Sequence, residues 1–243
     1  MQVILKLIEE SAEFALIVAC LYLVLGAYLH RYQPLWFAPL GKRRLVVLMV
    51  FVLSVSAIKL TEDVLGGESG PIDKSILLFI HSHAPVYLNG LFESITLSGS
   101  SMALFPLTVI TTIALLAARR RLEALLVATS LISATIVIYI IKTVTVRTRP
   151  ALWDAEWYWG SSFPSGHTLA VAAFATAAVL CVGRIRPISR NFALLIAILW
   201  TFLVAISRLV LGVHWPTDVL VAVCIGAFLP LAISVALELH ETI

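Results

Sequence analysis

Residues 164–183 read PSGHTLAVAAFATAAVLCVG. After His167 no charged residue occurs until Arg184. The run from Gly166 to Gly183 predicts a helix long enough to cross a bilayer, for which about 17–25 apolar residues suffice. Its front end is of another character. Proline favours the first turn of a helix, and the unpaired N–H groups there form an anion site. Gly166 removes a side chain where backbone would approach an oxyanion, and Ser165 adds a hydroxyl donor. Pro-Ser-Gly alone would be an ordinary helix start; the adjoining His167 puts a titratable ring at the mouth of an anion site.

Further apolar runs lie on both sides, at about 12–30, 44–60, 100–118, 123–142, 191–210 and 217–237. The expected fold is therefore all-α, an integral membrane bundle of about seven transmembrane helices. Composition agrees: 60% of residues are hydrophobic, 13% are charged and the mean hydropathy is +1.01. A soluble domain carries roughly 25% charged and about 45–50% apolar residues, so a soluble class is excluded. The run at 44–60 is the shortest in its uncharged part, from Leu45 to Ile58, and Lys59 would snorkel to the interface. The first run lacks the basic opening and small-residue cleavage site of a signal peptide. It reads as a retained helix with its N-terminus outside.

Cations set the orientation. Arg31, Lys42, Arg43, Arg44, Arg119, Arg120, Arg121, Arg184, Arg186 and Arg190 fall in loops on one side, ten of the 17 Lys and Arg residues. Positive-inside bias puts that side in the cytoplasm and the loops around residues 61–99 and 143–163 outside. The net charge of +3 is then a topology signal, and nucleic-acid binding is not indicated. Cys20, Cys181 and Cys224 all fall in apolar runs without C-x-x-C spacing, and read as buried thiols acting as small apolar side chains. No internal repeat or linker divides the chain, so residues 1–243 read as one membrane domain.

Thr61 to Pro71, rich in glycine and acids, reads as a loop. Ile72 to Ser82 reads as a short helix lying in the interface, with His81 and His83 solvated. Trp153 to Trp159, with tryptophans and a tyrosine, matches an interfacial aromatic belt, and could also serve as a lid over a head group.

Two more polar stretches share the outer side with Pro164–His167. Lys142 ends the fourth run, and Arg149-Pro150 follows it. Ser207-Arg208 ends the sixth run, and His214 and Asp218 straddle the start of the seventh. Arginine presents a planar fork to phosphate oxygens, while lysine acts as a mobile point charge. Pro150 fixes the backbone after Arg149. His214 and Asp218 are spaced to meet on one helical face. The carboxylate would then fix the imidazole tautomer and leave the other nitrogen free to attack. Three fixed cations, two imidazoles, a carboxylate and a glycine turn suit the transfer of a phosphoryl group through histidine.

The pattern Lys-x6-Arg-Pro, Pro-Ser-Gly-His, Ser-Arg-x5-His-x3-Asp resembles the type 2 phosphatidic acid phosphatase superfamily. That group also includes glucose-6-phosphatases, bacterial acid phosphatases and vanadium haloperoxidases. The motifs are matched without departure by Lys142, Arg149, Pro150, Pro164, Ser165, Gly166, His167, Ser207, Arg208, His214 and Asp218. The resemblance implies a six-helix core, here about 44–237, with one extra N-terminal helix. It implies that His214 is the nucleophile that becomes a phosphohistidine and that Asp218 orients it. It further implies that His167 protonates the leaving oxygen, and that Lys142, Arg149, Arg208, Ser165 and the Gly166 amide hold the phosphate. No metal or other cofactor is implied.

The expected substrate is a membrane lipid phosphate or pyrophosphate, of the undecaprenyl pyrophosphate, phosphatidylglycerol phosphate or phosphatidic acid type. The expected setting is the outer face of a bacterial inner membrane, with no obligatory protein partner evident. Alternatives are a lipid phosphotransferase of the same superfamily, or a non-catalytic lipid-binding or transport protein on the same scaffold.

Overall fold

A computed structural model of the chain describes residues 2–151 and 160–241. Its helices are α1 (Gln2–Tyr32), α2 (Pro34–Lys42), α3 (Arg44–Gly66), α4 (Gly70–His83), α5 (Asn89–Leu97), α6 (Ser101–Ala117), α7 (Arg121–Val144), α8 (Gly166–Ile185), α9 (Arg190–Val210) and α10 (Pro216–Glu241). No strand occurs among the described residues. Seven segments are long and apolar enough to span a membrane: α1, α3, α5 with α6, α7, α8, α9 with the turn before it, and α10. An all-helical answer is what lipid demands, because hydrocarbon offers backbone N–H and C=O groups no partner outside their own helix. Large apolar side chains face outward where lipid would meet them, among them Leu23, Ile110, Ile113, Phe192 and Phe202, each more than half exposed.

Spans alternate in direction. Lys59 near the end of α3 meets Glu13 near the start of α1 at 3.0 Å. At the other end of α3, Arg43 reaches Glu238 near the end of α10 at 2.5 Å, and Arg184 from the end of α8 reaches the same carboxylate at 2.5 Å. The arginine-bearing end of α8 and the start of α3 thus gather around Glu238 at the end of α10, opposite the Pro-Ser-Gly-His turn.

Two loop expectations are corrected. The loop expected at 61–71 shrinks to the turn 67–69: α3 continues to Gly66, since nothing before that glycine breaks it, exposed Glu62 and Asp63 face water, and α4 begins at Gly70. The helix ends where Gly67 adopts φ 76°, a left-handed conformation open to glycine. The second correction concerns α4, which does not merely lie in the interface. Leu77 is 0% exposed and packs with Ala205, Leu209 and Val219, and Asp73 on the same face is also 0% exposed. His81 and His83 are exposed, as expected.

The third span starts earlier than 100 and is broken at residues 98–100, where Ser100 caps α6 by accepting from the Ala103 amide at 3.3 Å. Gly99 at this break lies against α8 and α9. A Cβ there would stand 2.9 Å from Val204 Cγ1, 3.1 Å from Val171 Cγ2 and 3.4 Å from His167 Cβ.

The centre of the bundle is α8, which packs against α6, α7, α9 and α10. Its Leu169, Val171, Ala173 and Ala177 are all 0% exposed. Small side chains on this helix let neighbouring backbones approach closely, the usual source of helix association in lipid. The tightest crossing is at Gly226 of α10, where a Cβ would lie 2.5 Å from the Leu169 carbonyl oxygen and 2.7 Å from Ala172 Cβ. Gly226→Ala is expected to force α8 and α10 apart, at the ~1–3 kcal/mol typical of overpacking, and to lower the unfolding midpoint in detergent. Gly26→Ala in α1, with nothing within 4 Å, is the control and should not lower it. Equal midpoints for both variants would contradict the crossing.

Candidate active site

The start of α8 receives the polar stretches from three other elements. After α7, residues 145–149 run alongside residues 161–163. Ser162 N donates to the Arg147 carbonyl at 3.0 Å, the Arg147 amide donates to Ser161 Oγ at 3.3 Å, and Thr145 Oγ1 donates to the Phe163 carbonyl at 3.2 Å. This pairing holds both ends of the loop between α7 and α8 beside the helix start. Its cations follow: Lys142 Nζ donates to the Ser161 carbonyl at 2.5 Å, and Arg149 Nη1 donates to the Val213 carbonyl at 2.8 Å.

Pro164 stands ahead of the helix rather than in its first turn, joined to Phe163 by a cis peptide. Ser165 occupies the N-cap and α8 begins at Gly166. The Ser165 amide donates to the Asp218 carbonyl at 3.1 Å, tying the starts of α8 and α10 together. Ser165 Oγ lies 3.0 Å from Thr168 Oγ1 and is fully buried, so its hydroxyl is engaged within the helix start. At Gly166 a Cβ would meet Ile138 Cγ2 at 3.7 Å and Lys142 Cε at 4.0 Å. Those are ordinary contacts, so the glycine leaves its backbone bare next to Lys142 without being sterically required.

From α9 comes Arg208, 1% exposed, whose Nη1 donates to Thr96 Oγ1 of α5 at 2.7 Å. Ser207 Oγ bonds back to the Val204 carbonyl at 2.6 Å within α9. A turn then follows, with Gly212 at φ 67°, and it carries His214.

His214 and Asp218 were expected on one helical face. His214 instead lies in the turn, ahead of Pro216 where α10 begins. The pair still meets, with Nδ1 3.5 Å from Asp218 Oδ2. Asp218, in the first turn of α10, reaches back and accepts from the Trp215 amide at 2.9 Å. That is the geometry of a capping-box acid, which satisfies the helix start and sets the carboxylate facing the turn.

The imidazole of His214 is 2% exposed. Burial pushes it down to about 4; Asp218 works against that shift, and the Arg208 and Arg149 charges add to it. The ring is therefore neutral at pH 7. With Nδ1–H turned to the carboxylate, Nε2 keeps its lone pair, and Arg149 Nη1 stands 3.5 Å from it. His167, half-buried in the first turn of α8, lies within electrostatic reach of Arg208, His214, Lys142 and Arg149. The site thus gathers Lys142, Arg149, His167, Arg208, His214 and Asp218 beside Ser165 and Gly166: a neutral imidazole among cations suited to a phosphate. The aromatic stretch 153–159, read as belt or lid, lies outside the described residues.

Sequence reasoning missed three contributors: Thr96, Arg147 and Asp73. Arg147 Nη1 donates to Asp218 Oδ1, and to Thr217 Oγ1 at 2.8 Å. Its Nη2 donates to Asp73 Oδ2 at 2.5 Å and to Ser69 Oγ at 3.2 Å. One signal was available for Asp73: it stands four residues before Leu77, on the same inward face of α4.

Comparison with known proteins places these residues in a family context. Residues 123–239 match the model of the PAP2 superfamily. Phosphatidylglycerophosphatase B of Escherichia coli strain K12 is 44% identical over 74 residues, 30% of this chain and 27% of that protein. The chain therefore aligns with about a quarter of that relative's length. Phosphatidylglycerophosphatase B of Bacillus subtilis strain 168 is 31% identical over 146 residues, 59% of this chain and 72% of that protein. Undecaprenyl-diphosphatase of Sulfolobus acidocaldarius is 27% identical over 201 residues, 79% of this chain and 90% of that protein. Among solved structures, the transmembrane PAP2-type phosphatidylglycerolphosphate phosphatase of Bacillus subtilis superposes with a TM-score of 0.72 at 25% identity. The match covers 80% of this chain and 96% of that one.

Proposed function

The chain belongs to the PAP2 superfamily, and on that premise we propose that it hydrolyses a phosphate or pyrophosphate ester of a membrane lipid through a phosphohistidine at His214. The observation that carries this reading is the meeting of neutral His214, backed by Asp218, with Lys142, Arg149, Arg208 and His167 at one end of a membrane bundle.

In the proposed reaction, Lys142, Arg149 and Arg208 hold the phosphate oxygens with the first amides of α8. His214 Nε2 forms a bond to phosphorus as the bond to the leaving oxygen breaks. His167 gives that oxygen a proton. The imidazolium created at His214 is stabilised by Asp218 through Nδ1–H. Water activated by His167 then attacks phosphorus, the P–N bond breaks and inorganic phosphate leaves. Fixed charges aimed where negative charge shifts are the main source of rate in such transfers.

Membrane spans and an apolar exterior favour a lipid as the carrier of the phosphate. The names of the relatives point to undecaprenyl pyrophosphate and phosphatidylglycerol phosphate as substrates to try first, with phosphatidic acid beside them. The test is phosphate release from these lipids by the purified protein in detergent. Release that survives EDTA and is blocked by vanadate is expected, because side-chain cations neutralise the phosphate. Loss on chelation with recovery on adding Mg²⁺ would contradict the site, and a phosphorylated lipid acceptor in place of free phosphate would mark a transferase.

The proposed setting is a bacterial inner membrane with this site on the periplasmic face, from the arginines at residues 119–121 and 184–190 on the other side. Single cysteines at Glu68 and Arg120, both exposed, report on it. An impermeant thiol reagent applied to intact spheroplasts should label only position 68, and the reverse pattern would invert the topology.

A further inference from the structure

We infer that Asp73 and Arg147 act as a positioning relay, in which Asp73 of α4 holds Arg147 and Arg147 holds the Asp218 carboxylate against His214. The inference rests on His214 being the nucleophile, as proposed above.

The argument starts from the oxygens of Asp218. Oδ2 accepts from the Trp215 amide at 2.9 Å and faces His214 Nδ1 at 3.5 Å, while Oδ1 takes Arg147 Nη1. Both carboxylates on Arg147 are 0% exposed, and the arginine side chain is 15% exposed. Without Arg147, Oδ1 loses its charged donor inside the protein, and the carboxylate is free to turn and take Oδ2 away from Nδ1.

Arg147 in turn cannot wander. Its fork spans Asp218 and Thr217 on one side, and Asp73 and Ser69 on the other. Asp73 is fastened from the α10 side as well, accepting from the Thr217 amide at 2.9 Å and from Thr217 Oγ1 at 2.6 Å. Trp215 covers the guanidinium at 5.8 Å and donates through Nε1 to the Thr148 carbonyl at 2.9 Å. Three segments distant in sequence, 69–73, 147–148 and 215–218, meet at one guanidinium. A buried ion triad is a weak source of stability, since desolvation offsets attraction, so orientation is the more economical account of it.

The relay also has an electrostatic consequence. Arg147 draws part of the Asp218 charge away from His214. The other charged groups facing the pair are Lys142 from α7, Arg149 from the outer loop, Arg208 from α9 and His167 from α8, with Asp73 of α4 beyond Arg147. Burial and the two arginines keep His214 neutral down to about 4. With Arg147 gone, an uncompensated carboxylate would let His214 take a proton at higher pH, and activity would fade sooner on acidification.

The experiment is the pH profile of kcat/KM for the full-length protein on phosphatidic acid in detergent micelles, comparing variants on that one substrate so that its own ionisation is common to all. Arg147→Gln is expected to lower kcat about 10–100-fold, the range found when a partner orienting a metal-bound imidazole is lost, and to move the acid limb upward. Asp73→Asn, which frees Arg147 but keeps its charge, should lower kcat without that upward movement. In an Asp218→Asn background, adding Arg147→Gln should cost much less than it does in the wild type. Should Arg147→Gln fail to fold, Arg147→Lys is read instead; one ammonium cannot span both carboxylates, so kcat should fall with a smaller movement of the limb. An unmoved limb together with fully additive losses overturns the relay and leaves the phosphohistidine reading standing. Turnover by His214→Ala overturns both.

Discussion

His214→Ala is expected to reduce phosphate release to the uncatalysed background and to abolish any acid-labile phosphoenzyme. In the proposed reaction the neighbouring groups have other tasks, His167 as the acid and the cations as phosphate holders. Among the groups gathered at the site, Lys142, Arg149 and Arg208 are cations with no lone pair to offer in that state. Asp218 faces the His214 ring and is engaged by Arg147 and the Trp215 amide. Direct attack by water would forgo the covalent step that divides the reaction in two. The loss should therefore exceed that of any other single substitution in the site. Rapid quench with radiolabelled lipid phosphate checks the phosphoenzyme, and steady-state release checks turnover. Substantial turnover by a folded His214→Ala protein would sink the covalent mechanism.

His167→Ala should fail in another way. It removes the proposed acid while leaving nucleophile and cations in place, and general acid catalysis is typically worth about 10²–10⁴-fold. The loss should depend on the leaving group. A lipid alkoxide needs a proton as it departs and should show most of that factor. Nitrophenolate or a phosphate leaving from a pyrophosphate needs little, so the first step should be spared. Breakdown of the phosphohistidine should slow as well, since the same ring would activate water. The measurement is kcat/KM for a lipid monophosphate and for nitrophenyl phosphate, wild type against variant. Equal losses on both would remove His167 from the acid role. A Cβ added at Gly99 would stand 3.4 Å from His167 Cβ, a second handle, because crowding at residue 99 would press on His167 without deleting the ring.

How far the sequence reached can be judged element by element. Each span was legible because hydrocarbon imposes one requirement on every residue inside it, and a run such as Leu169 to Cys181 meets it with no neighbour consulted. Similarly, Lys142, Arg149, His167, Arg208, His214 and Asp218 were picked out because polar groups at the ends of apolar runs are costly and few. Their roles were read by resemblance, and their meeting at one end required only that successive spans alternate in direction.

Where the reading fell short, the missing information lay in neighbours distant in sequence. Asp73 fell in a stretch read as an interfacial helix; only the seating of Leu77 against Ala205, Leu209 and Val219 buries it beside Thr217. Arg147 lies outside the motifs read from the sequence; the pairing of residues 145–149 with 161–163 aims its fork between two carboxylates. Thr96 carried no signal at all, since its role depends on the break at Gly99 letting α5 lean on α9. The His214–Asp218 pair was expected from helical spacing, yet it forms across a turn because Asp218 reaches back to the Trp215 amide. Solvent preference acts on each residue singly, so the membrane spans and the residues of the candidate site could be read from the chain alone. Which oxygen meets which nitrogen depends on where helices cross, and that was decided only by tertiary packing around α8.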